Sequence, residues 1–488
     1  MIDWLATRNG RLVAFFLLYA TEGLPLGFTA TFVATLMRRE GVSPAAIGTF
    51  VATLYLPWSF KFFAGPFVDL FRSRRLGPRR AWIVSTQLAM TLSLMTLAWF
   101  NAVRGIDVTH VALFTTVVVI SNVFGAIQDV AIDALAVDTL HESERGLANG
   151  LMFAGAAIGQ ALGGSGALFL YDAVGFVGAT LSVGGWLLGV TLFVSLWLKE
   201  RPVERTASTL VELAANDDRS PFAALLQRAL SQVLDYAVTA ARAFFGSARG
   251  LLGLVLALLP AGGMALGLTL QTNLAVELGL SDNAIATLNI ASTVAFALFC
   301  AAGGLISDHF GRVRSLAIFI ALTALPTLAF AGLMWKADWI MPVDPTLPNR
   351  PSPPDWLVQA FWAATIVFNM ANGLMYGTRS AFFMDFCEPR AAATQFTAYM
   401  AAMNLVIAYS AFWQGRAIEA FGYPATLTID AGFGLACLAV LALVPLTRNP
   451  QERRPQTPDE ITCPACGTAA PADATACPMC GEPLSTAR

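Results

Sequence analysis

The sequence predicts an all-α integral membrane protein, and three observations lead to that prediction. Hydrophobic residues make up 56% of the 488 residues, and charged residues make up only 13%, whereas a soluble domain carries about 25% charged residues. The mean hydropathy is +0.62. Apolar stretches of roughly 20 residues, the length that crosses a bilayer, recur along the chain. The net charge of −2 argues against a nucleic-acid partner.

Twelve apolar stretches are long enough to form transmembrane helices, and a polar segment divides them into two groups of six. The predicted domains are an N-terminal six-helix bundle (1–199), a cytoplasmic loop (200–250) and a C-terminal six-helix bundle (251–447). The predicted spans are 12–37, 45–68, 81–102, 109–137, 147–170, 175–198, 251–277, 284–306, 315–335, 356–384, 393–414 and 424–446.

The two halves carry related sequences. Residues 41–49 and 279–287 lie 238 positions apart and share Gly, Ser, Ala, Ile and Thr at matching positions. The segments 65–69 and 304–308, each with a glycine and an aspartate four residues later, lie 239 positions apart. Because the order of features is the same in both halves, the sequence predicts a parallel repeat of two pseudo-symmetric bundles.

The distribution of cationic residues predicts the orientation in the membrane. Most of the 30 lysine and arginine residues fall on one side if the N-terminus is cytoplasmic, as the positive-inside rule requires. Both termini and the 200–250 loop are therefore predicted to be cytoplasmic. Within that loop, apolar residues recur at helical spacing from Phe222 to Phe244, which predicts an amphipathic helix on the inner membrane surface.

A loop motif resembles the signature of the major facilitator superfamily of transporters. Residues 308–314 read Asp-His-Phe-Gly-Arg-Val-Arg, and the N-terminal copy keeps Gly65 and Asp69 ahead of a short insertion. The resemblance implies the major facilitator fold, with acid–arginine pairs that lock and release the two bundles. The predicted gating residues are Asp69, Arg79, Arg80, Asp138, Arg145, Asp308, Arg312 and Asp385.

Within that superfamily, the N-terminal half resembles a branch that holds AmpG-type muropeptide permeases, acetyl-CoA transporters and siderophore importers. The resemblance rests on residues 22–26 (Glu-Gly-Leu-Pro-Leu), 61–62 (Lys-Phe), the acids of 129–138 and 144–146 (Glu-Arg-Gly). It implies a bacterial inner-membrane permease. Muropeptide, acyl-CoA-like and siderophore-like substrates all stay open.

Charged residues inside the spans are the candidates for proton coupling and substrate contact, because a charge in the membrane core usually faces a cavity or a partner. Glu22 lies mid-span, and Asp129 and Asp133 lie four residues apart, hence on one helical face. Lys61 is a cation within a span. A simpler interpretation is that both aspartates pair with Lys61 or with the backbone and only hold the bundle together.

Arg379 is the corresponding charge in the C-terminal half. It is predicted either to bind an anionic group of the substrate or to pair with Asp385 or Asp430. Amides within the spans are weaker candidates, since amides often join helices. These amides are Gln160, Gln271, Asn273 and Asn404. Glycines at 155, 159, 163 and 164 predict close helix packing that needs no ligand.

The C-terminal tail carries two Cys-x-x-Cys pairs, Cys463–Cys466 and Cys477–Cys480. Four thiolates at this spacing predict a tetrahedral, structural Zn²⁺ site, and a reducing cytoplasm disfavours disulfides. We therefore predict a zinc ribbon at 462–484 behind a polar linker at 448–461. An unknown cytoplasmic partner of the ribbon is one possible role for it.

Together these features predict a secondary active transporter that moves a small organic solute by alternating access, as a proton-coupled importer. The partners are then the solute, protons and the lipid bilayer, and the chain acts as a monomer. Two alternatives stay open: a membrane sensor or scaffold that signals through the ribbon, and a proton-coupled exporter. An enzyme is not predicted, because no span carries a histidine cluster or a nucleophile–base pair.

Overall fold

The computed structural model describes residues 3–71, 73, 76–140, 142–200, 221–267, 269–387, 392–447, 460–463, 469–471, 476–477 and 479. The chain divides into two compact units, Met1–Leu441 and Ala442–Arg488. The first unit is built from helices, which confirms the all-helical architecture predicted for it.

The helices of the N-terminal half follow one another with short connections. They are α1 (Arg8–Gly27), α2 (Ala34–Arg39), α3 (Pro44–Ser59), α4 (Gly65–Leu70), α5 (Arg80–Arg104), α6 (Val111–Thr139), α7 (Glu142–Ala161) and α8 (Ala167–Trp197). Short 3₁₀ turns lie at Trp4–Ala6 and Lys61–Ala64. Wider π-helical segments join α1 to α2 (Phe28–Val33) and α7 to α8 (Leu162–Gly166).

The rest of the first unit begins with α9 (Pro221–Phe245), which contains the predicted amphipathic helix. The C-terminal half then comprises α10 (Ala248–Leu258), α11 (Thr269–Glu277), α12 (Asp282–Phe310), α13 (Arg312–Lys336), α14 (Asp355–Phe386) and α15 (Ala392–Leu441). A 3₁₀ turn, Ala265–Gly267, precedes α11. A further 3₁₀ turn, Val444–Thr447, belongs to the second unit.

Eight helices among the described residues are long and apolar enough to cross a membrane. Two of these stretches, Gly150–Trp197 and Gln395–Leu441, are longer than one crossing. Each contains a glycine with positive φ, Gly175 at 67° and Gly422 at 81°, where the helix breaks. Both breaks separate neighbouring predicted spans. The count of twelve spans stays a prediction.

The turns that begin the sequence repeat have the same backbone geometry. Gly41 and Gly279 adopt φ values of 81° and 78°, a conformation that glycine tolerates best. In each turn a serine then caps the next helix: Ser43 accepts the N–H of Ala46, and Ser281 accepts the N–H of Ala284. The 238-residue spacing therefore joins structurally equivalent positions.

Helices α1 and α7 pack backbone to backbone. A Cβ added to Gly159 would lie 2.2 Å from the carbonyl oxygen of Ala20, and one added to Gly163 would lie 1.9 Å from that of Leu24. Only glycine permits this approach, so the predicted close packing is confirmed. The apolar core is shared by the two halves. One cluster of buried side chains includes Phe28 and Phe50 of the N-terminal half and Phe330 and Phe361 of the C-terminal half.

The second unit contains two short antiparallel strands, β1 (Glu460–Thr462) and β2 (Ala469–Pro471). Glu460 pairs with Pro471, and Thr462 pairs with Ala469. Two of the predicted zinc ligands, Cys466 and Cys480, lie outside the described residues, as do 448–459 of the predicted linker.

Candidate functional site

The predicted charges of the N-terminal half come together in one cluster. Lys61 lies in the 3₁₀ turn after α3, where the helical backbone is interrupted. Its Nζ donates to Oδ2 of Asp129 and lies 3.9 Å from Oδ2 of Asp133. The Asp129 side chain is 5% exposed, whereas that of Asp133 is 47% exposed. One lysine thus faces a buried and an accessible carboxylate.

Helix α1 completes this cluster. The Tyr19 hydroxyl donates to Oδ1 of Asp133 over 2.5 Å. Glu22 is buried and lies within electrostatic range of Asp129, Asp133 and Lys61, while its Oε1 has no hydrogen-bond partner among the described residues. We call Glu22, Lys61, Asp129 and Asp133 the acid–lysine cluster. It contains three carboxylates and one ammonium group.

A neutral hydrogen-bonded layer lies next to the acid–lysine cluster. The hydroxyl of Thr21, beside Glu22, accepts from Nε2 of Gln87 over 3.2 Å and from Nε2 of Gln128 over 2.8 Å. All three side chains are buried. Because Gln128 directly precedes Asp129, this layer fixes α1, α5 and α6 around the charged groups.

Arg379 of α14 occupies a different environment. It is 5% exposed, and its Nη2 donates to the carbonyl oxygens of Leu256 and Leu259, each at 3.0 Å. Its guanidinium carbon lies 5.6 Å from the centre of the Phe383 ring. These carbonyls belong to the C-terminal end of α10, where helical carbonyls lack intrahelical partners and attract cations.

Neither acid predicted to pair with Arg379 does so. Asp385 lies 2.5 Å from Nη1 of Arg312. Asp430 is buried within α15, where its Oδ2 accepts the N–H groups of Met264 and Ala265 at 2.7 and 2.9 Å. Among the described residues, the polar contacts of Arg379 are therefore to backbone oxygens. The guanidinium therefore forms no ion pair with a carboxylate of the described residues.

The predicted gating residues lie at helix ends, and the ion pairs described for Arg79 and Arg312 each join residues of one half. In the N-terminal half, Arg79 lies 3.3 Å from Asp138, and Arg80 donates to the carbonyl of Leu198. In the C-terminal half, Arg312 pairs with Asp308 at 3.1 Å and with Asp385. The helical backbones of Asp69 and Arg145 are described, but their side chains lie outside the described set.

Glu200 contributes to the same end of the N-terminal half, although no sequence motif selects it. Its carboxylate accepts the backbone N–H groups of Arg79 and Arg80 where α5 begins. Burial raises the pKa of Glu200 above its usual value, and these hydrogen bonds oppose that rise only in part.

Two buried ion pairs were also missed. Arg11 and Glu144 lie 2.6 Å apart within the N-terminal half. Arg38 and Glu277 lie 2.8 Å apart and join the two halves. The sequence signal that could have selected this pair is the repeat offset, because Glu277 lies 239 residues after Arg38.

The described part of the predicted zinc site consists of two thiols. Cys463 and Cys477 are both buried, with exposures of 1% and 3%, and Cys463 directly follows β1. Within the described residues there is no cluster of three or more metal-binding side chains. The donor chemistry of these two thiols fits Zn²⁺, and their predicted partners lie outside the described residues.

Comparison with known families gives a match over most of the chain. A family model described as Major Facilitator Superfamily matches residues 12–272 and 252–476. The anhydromuropeptide permease of Escherichia coli strain K12 is 24% identical over 411 residues, which cover 82% of this chain and 73% of the permease.

Solved structures show the same fold at low identity. The inward open conformation of the xylose transporter XylE from E. coli has a TM-score of 0.64 and 12% identity, and the match covers 89% of this chain and 96% of that one. The nucleoside transporter NupG has a TM-score of 0.61 and 13% identity, with 89% and 98% covered.

Proposed function

The chain belongs to the Major Facilitator Superfamily, and from this premise we propose that it is a proton-coupled importer of a small organic anion. The observation that carries the proposal is the acid–lysine cluster, in which three carboxylates face one ammonium group inside the membrane region. Arg379 supplies a positive charge in the other half. A sensor that signals through the tail has no need of either arrangement.

The acid–lysine cluster suits proton exchange because its charges do not balance. Lys61 can neutralise one carboxylate, while an unbalanced charge in a medium of low polarity is unfavourable. The buried Asp129 binds Lys61, whereas the more accessible Asp133 lies 3.9 Å from the ammonium group. A proton that binds Asp133 frees Lys61 for Asp129, and its release restores the competition between the two aspartates.

Arg379 determines the proposed substrate class. It lies against carbonyl dipoles rather than carboxylates, so an incoming carboxylate or phosphate meets an uncompensated guanidinium. An anhydromuropeptide, the solute in the name of the similar E. coli permease, carries carboxylates. Acyl-CoA-like and siderophore-like anions carry the same type of group and remain candidates.

The proposed cycle is alternating access by two six-helix bundles with twelve spans. We propose that both termini lie in the cytoplasm of a bacterial cell, that the protein acts as a monomer in the inner membrane, and that solute enters with protons. In this orientation the Arg38–Glu277 contact would lie at the outer end, where it joins the halves, as expected of an inward-facing state.

Uptake into proteoliposomes tests the proposal. With acid outside, labelled anhydromuropeptide should accumulate, and Asp129→Asn or Asp133→Asn should abolish accumulation but retain exchange of solute across the membrane. Asp235→Asn, an exposed acid of α9, serves as the matched control. An acid-driven efflux would identify an exporter, and ligand binding without flux would identify a sensor; either result contradicts the proposal.

The cytoplasmic tail is proposed to hold one structural Zn²⁺ through Cys463, Cys466, Cys477 and Cys480. The metal would organise the chain after β1, as structural zinc does in small domains. Metal analysis of the purified full chain should give one zinc per chain, and Cys463→Ser with Cys477→Ser should remove it. Full zinc content in that double variant would contradict the assignment. Normal uptake by the same variant would separate the ribbon from transport.

A further inference from the structure

The contact between Arg38 and Glu277 is a buried ion pair between the two halves. We call the contact between the ends of α2 and α11, where this pair lies, the seam. Nε and Nη2 of Arg38 donate to the same oxygen of Glu277 at 3.0 and 2.8 Å, and the side chains are 3% and 0% exposed. The other carboxylate oxygen accepts the N–H of Val343 at 2.7 Å, and the Tyr423 hydroxyl also donates to Glu277. The carboxylate is thus fully satisfied.

The two members of this pair occupy nearly equivalent positions of the repeat. Arg38 precedes Gly41 by three residues, and Glu277 precedes Gly279 by two, so their separation of 239 residues is within one of the 238-residue spacing of the glycine turns. Equivalent residues of a two-fold repeat meet only near the symmetry axis. The ion pair therefore lies where the ends of α2 and α11 converge, and opposite charges there join the halves directly.

One turn before the ion pair, the same two helices carry polar groups without partners. Thr35 and Asn273 lie 238 residues apart, each six residues before its glycine turn, and both are 0% exposed. Among the described residues, Oγ1 of Thr35 and both Nδ2 and Oδ1 of Asn273 have no hydrogen-bond partner. A buried amide without partners destabilises the state that buries it.

We propose that these opposed features set the balance between the two transport conformations. The Arg38–Glu277 pair stabilises the state in which the seam is closed. Asn273, with Thr35, destabilises that same state, because opening the seam would hydrate their polar groups. A ligand can shift an equilibrium between two states only by its differential affinity for them, so a nearly balanced seam lets modest binding energy drive the cycle. This inference rests on the proposed alternating-access function.

Hydrogen–deuterium exchange on the full chain in nanodiscs measures this balance without added labels. Peptides covering 340–346 report on the seam, since Val343 donates to Glu277 there. Peptides covering 308–314 report on the opposite end. A shift between conformations changes exchange in opposite directions at the two ends, whereas loss of folding raises exchange at both. The readout needs neither a solute nor a proton gradient.

Two sets of variants should move the balance in opposite directions. Glu277→Gln and Arg38→Gln should raise exchange in 340–346 by about 5-fold or more and lower it in 308–314. Arg38→Lys, which keeps the positive charge and leaves Glu277 as the acceptor for Val343, should stay closer to the original exchange than Arg38→Gln. Asn273→Leu, which removes the unpartnered amide, should lower exchange in 340–346 and slow uptake.

Asn122→Leu is the matched control, because the Asn122 amide is buried but donates to the carbonyl of Val118 at 3.0 Å. It should raise exchange locally without any opposed change at the two ends. If Asn273→Leu raises exchange in 340–346, or if Glu277→Gln leaves it unchanged, the proposed balance is wrong. A chain that shows the expected exchange but moves no solute would contradict the proposed function and leave the balance standing.

Discussion

The two halves of the protein bury charge in different ways. In the N-terminal half a lysine meets carboxylates, since Lys61 contacts Asp129 and lies near Asp133. In the C-terminal half two buried charges meet the backbone instead: Arg379 donates to carbonyls at the end of α10, and Asp430 accepts N–H groups beside α11. The halves share a repeat and a helical architecture, but their electrostatic environments are not equivalent.

This difference bears on which half responds to a proton in the proposed function. A carboxylate that competes for one ammonium group changes its partner when it is protonated. Backbone carbonyls do not titrate, and Arg379 keeps its charge. In the proposed cycle the acid–lysine cluster is therefore the switch, and Arg379 is a fixed positive site for an anion.

The largest effect is expected from Lys61→Met, which leaves the acids without their cation. Removing one member of a buried pair destabilises a protein by about 3–5 kcal/mol, and the loss should appear as a lower unfolding temperature and no proton-driven uptake. Lys61→Met combined with Asp129→Asn should recover much of the stability but not the uptake. Lys336→Gln, at the end of α13, is the control. Equal stability of the single variant and the original protein would show that the acid–lysine cluster is already neutral without Lys61.

Arg379→Met should give a smaller loss of stability and an equally complete loss of uptake. The carbonyls it leaves are neutral, so the expected loss in free energy of unfolding is about 1.5–3 kcal/mol. Arg379→Lys keeps the charge but replaces the planar guanidinium with a compact ammonium group, and it should raise KM for the solute more than it lowers kcat. Uptake kinetics separate these effects. An unchanged KM in Arg379→Lys would show that Arg379 does not contact the solute.

The contrast between the halves also separates what sequence could predict from what it could not. The i,i+4 spacing of Asp129 and Asp133 fixes a common face, and a lysine inside an apolar span demands a partner, so the acid–lysine cluster was accessible from residue identities. The partners of Arg379 were not, because they are backbone carbonyls exposed by a helix end at Leu258, within a stretch that sequence reads as one span.

The Arg38–Glu277 pair illustrates a different limit. The sequence contains both residues and shows the repeat offset, but no pattern in it predicts that the equivalent ends of α2 and α11 converge. Fold class and repeat follow from apolar periodicity and turn residues, which are local properties. The contacts between halves depend on how the halves pack, and residues 239 positions apart have no local signal of contact.

Glycines at helix contacts should have similar effects in the two halves, in contrast to the buried charges, because both halves pack a helix backbone against them. A Cβ at Gly163 would lie 1.9 Å from the carbonyl of Leu24, and one at Gly303 would lie 2.3 Å from that of Leu374. Gly163→Ala and Gly303→Ala should each reduce the free energy of unfolding by about 1–3 kcal/mol through overpacking. Gly185→Ala, with open space around it, should be neutral or slightly stabilising. Thermal unfolding of the three variants tests this, and an effect confined to one half would extend the electrostatic contrast to packing.

The smallest effect on stability is expected from a substitution of Glu200. The two halves also differ in how carboxylates are placed at their helix ends. The C-terminal half pairs Arg312 with exposed carboxylates, whereas Glu200 of the N-terminal half is partly buried against the first N–H groups of α5, and burial raises its pKa. Because its pKa in the folded state exceeds that in the unfolded state, the folded state binds the proton more tightly. The contribution of Glu200 to stability therefore falls as pH rises from about 4.5 through the folded-state pKa.

Glu200→Gln keeps an acceptor for the Arg79 and Arg80 N–H groups and removes this titration. Its unfolding temperature should fall less than that of the original protein between pH 4.5 and 7, and the two should differ least at the acidic end. Asp385→Asn, which alters an exposed pair, should reduce the response of the unfolding temperature to salt. If Glu200→Gln has the same pH slope as the original protein, the N–H groups of α5 stabilise the carboxylate enough to offset its burial, and the ends of the two halves are electrostatically alike.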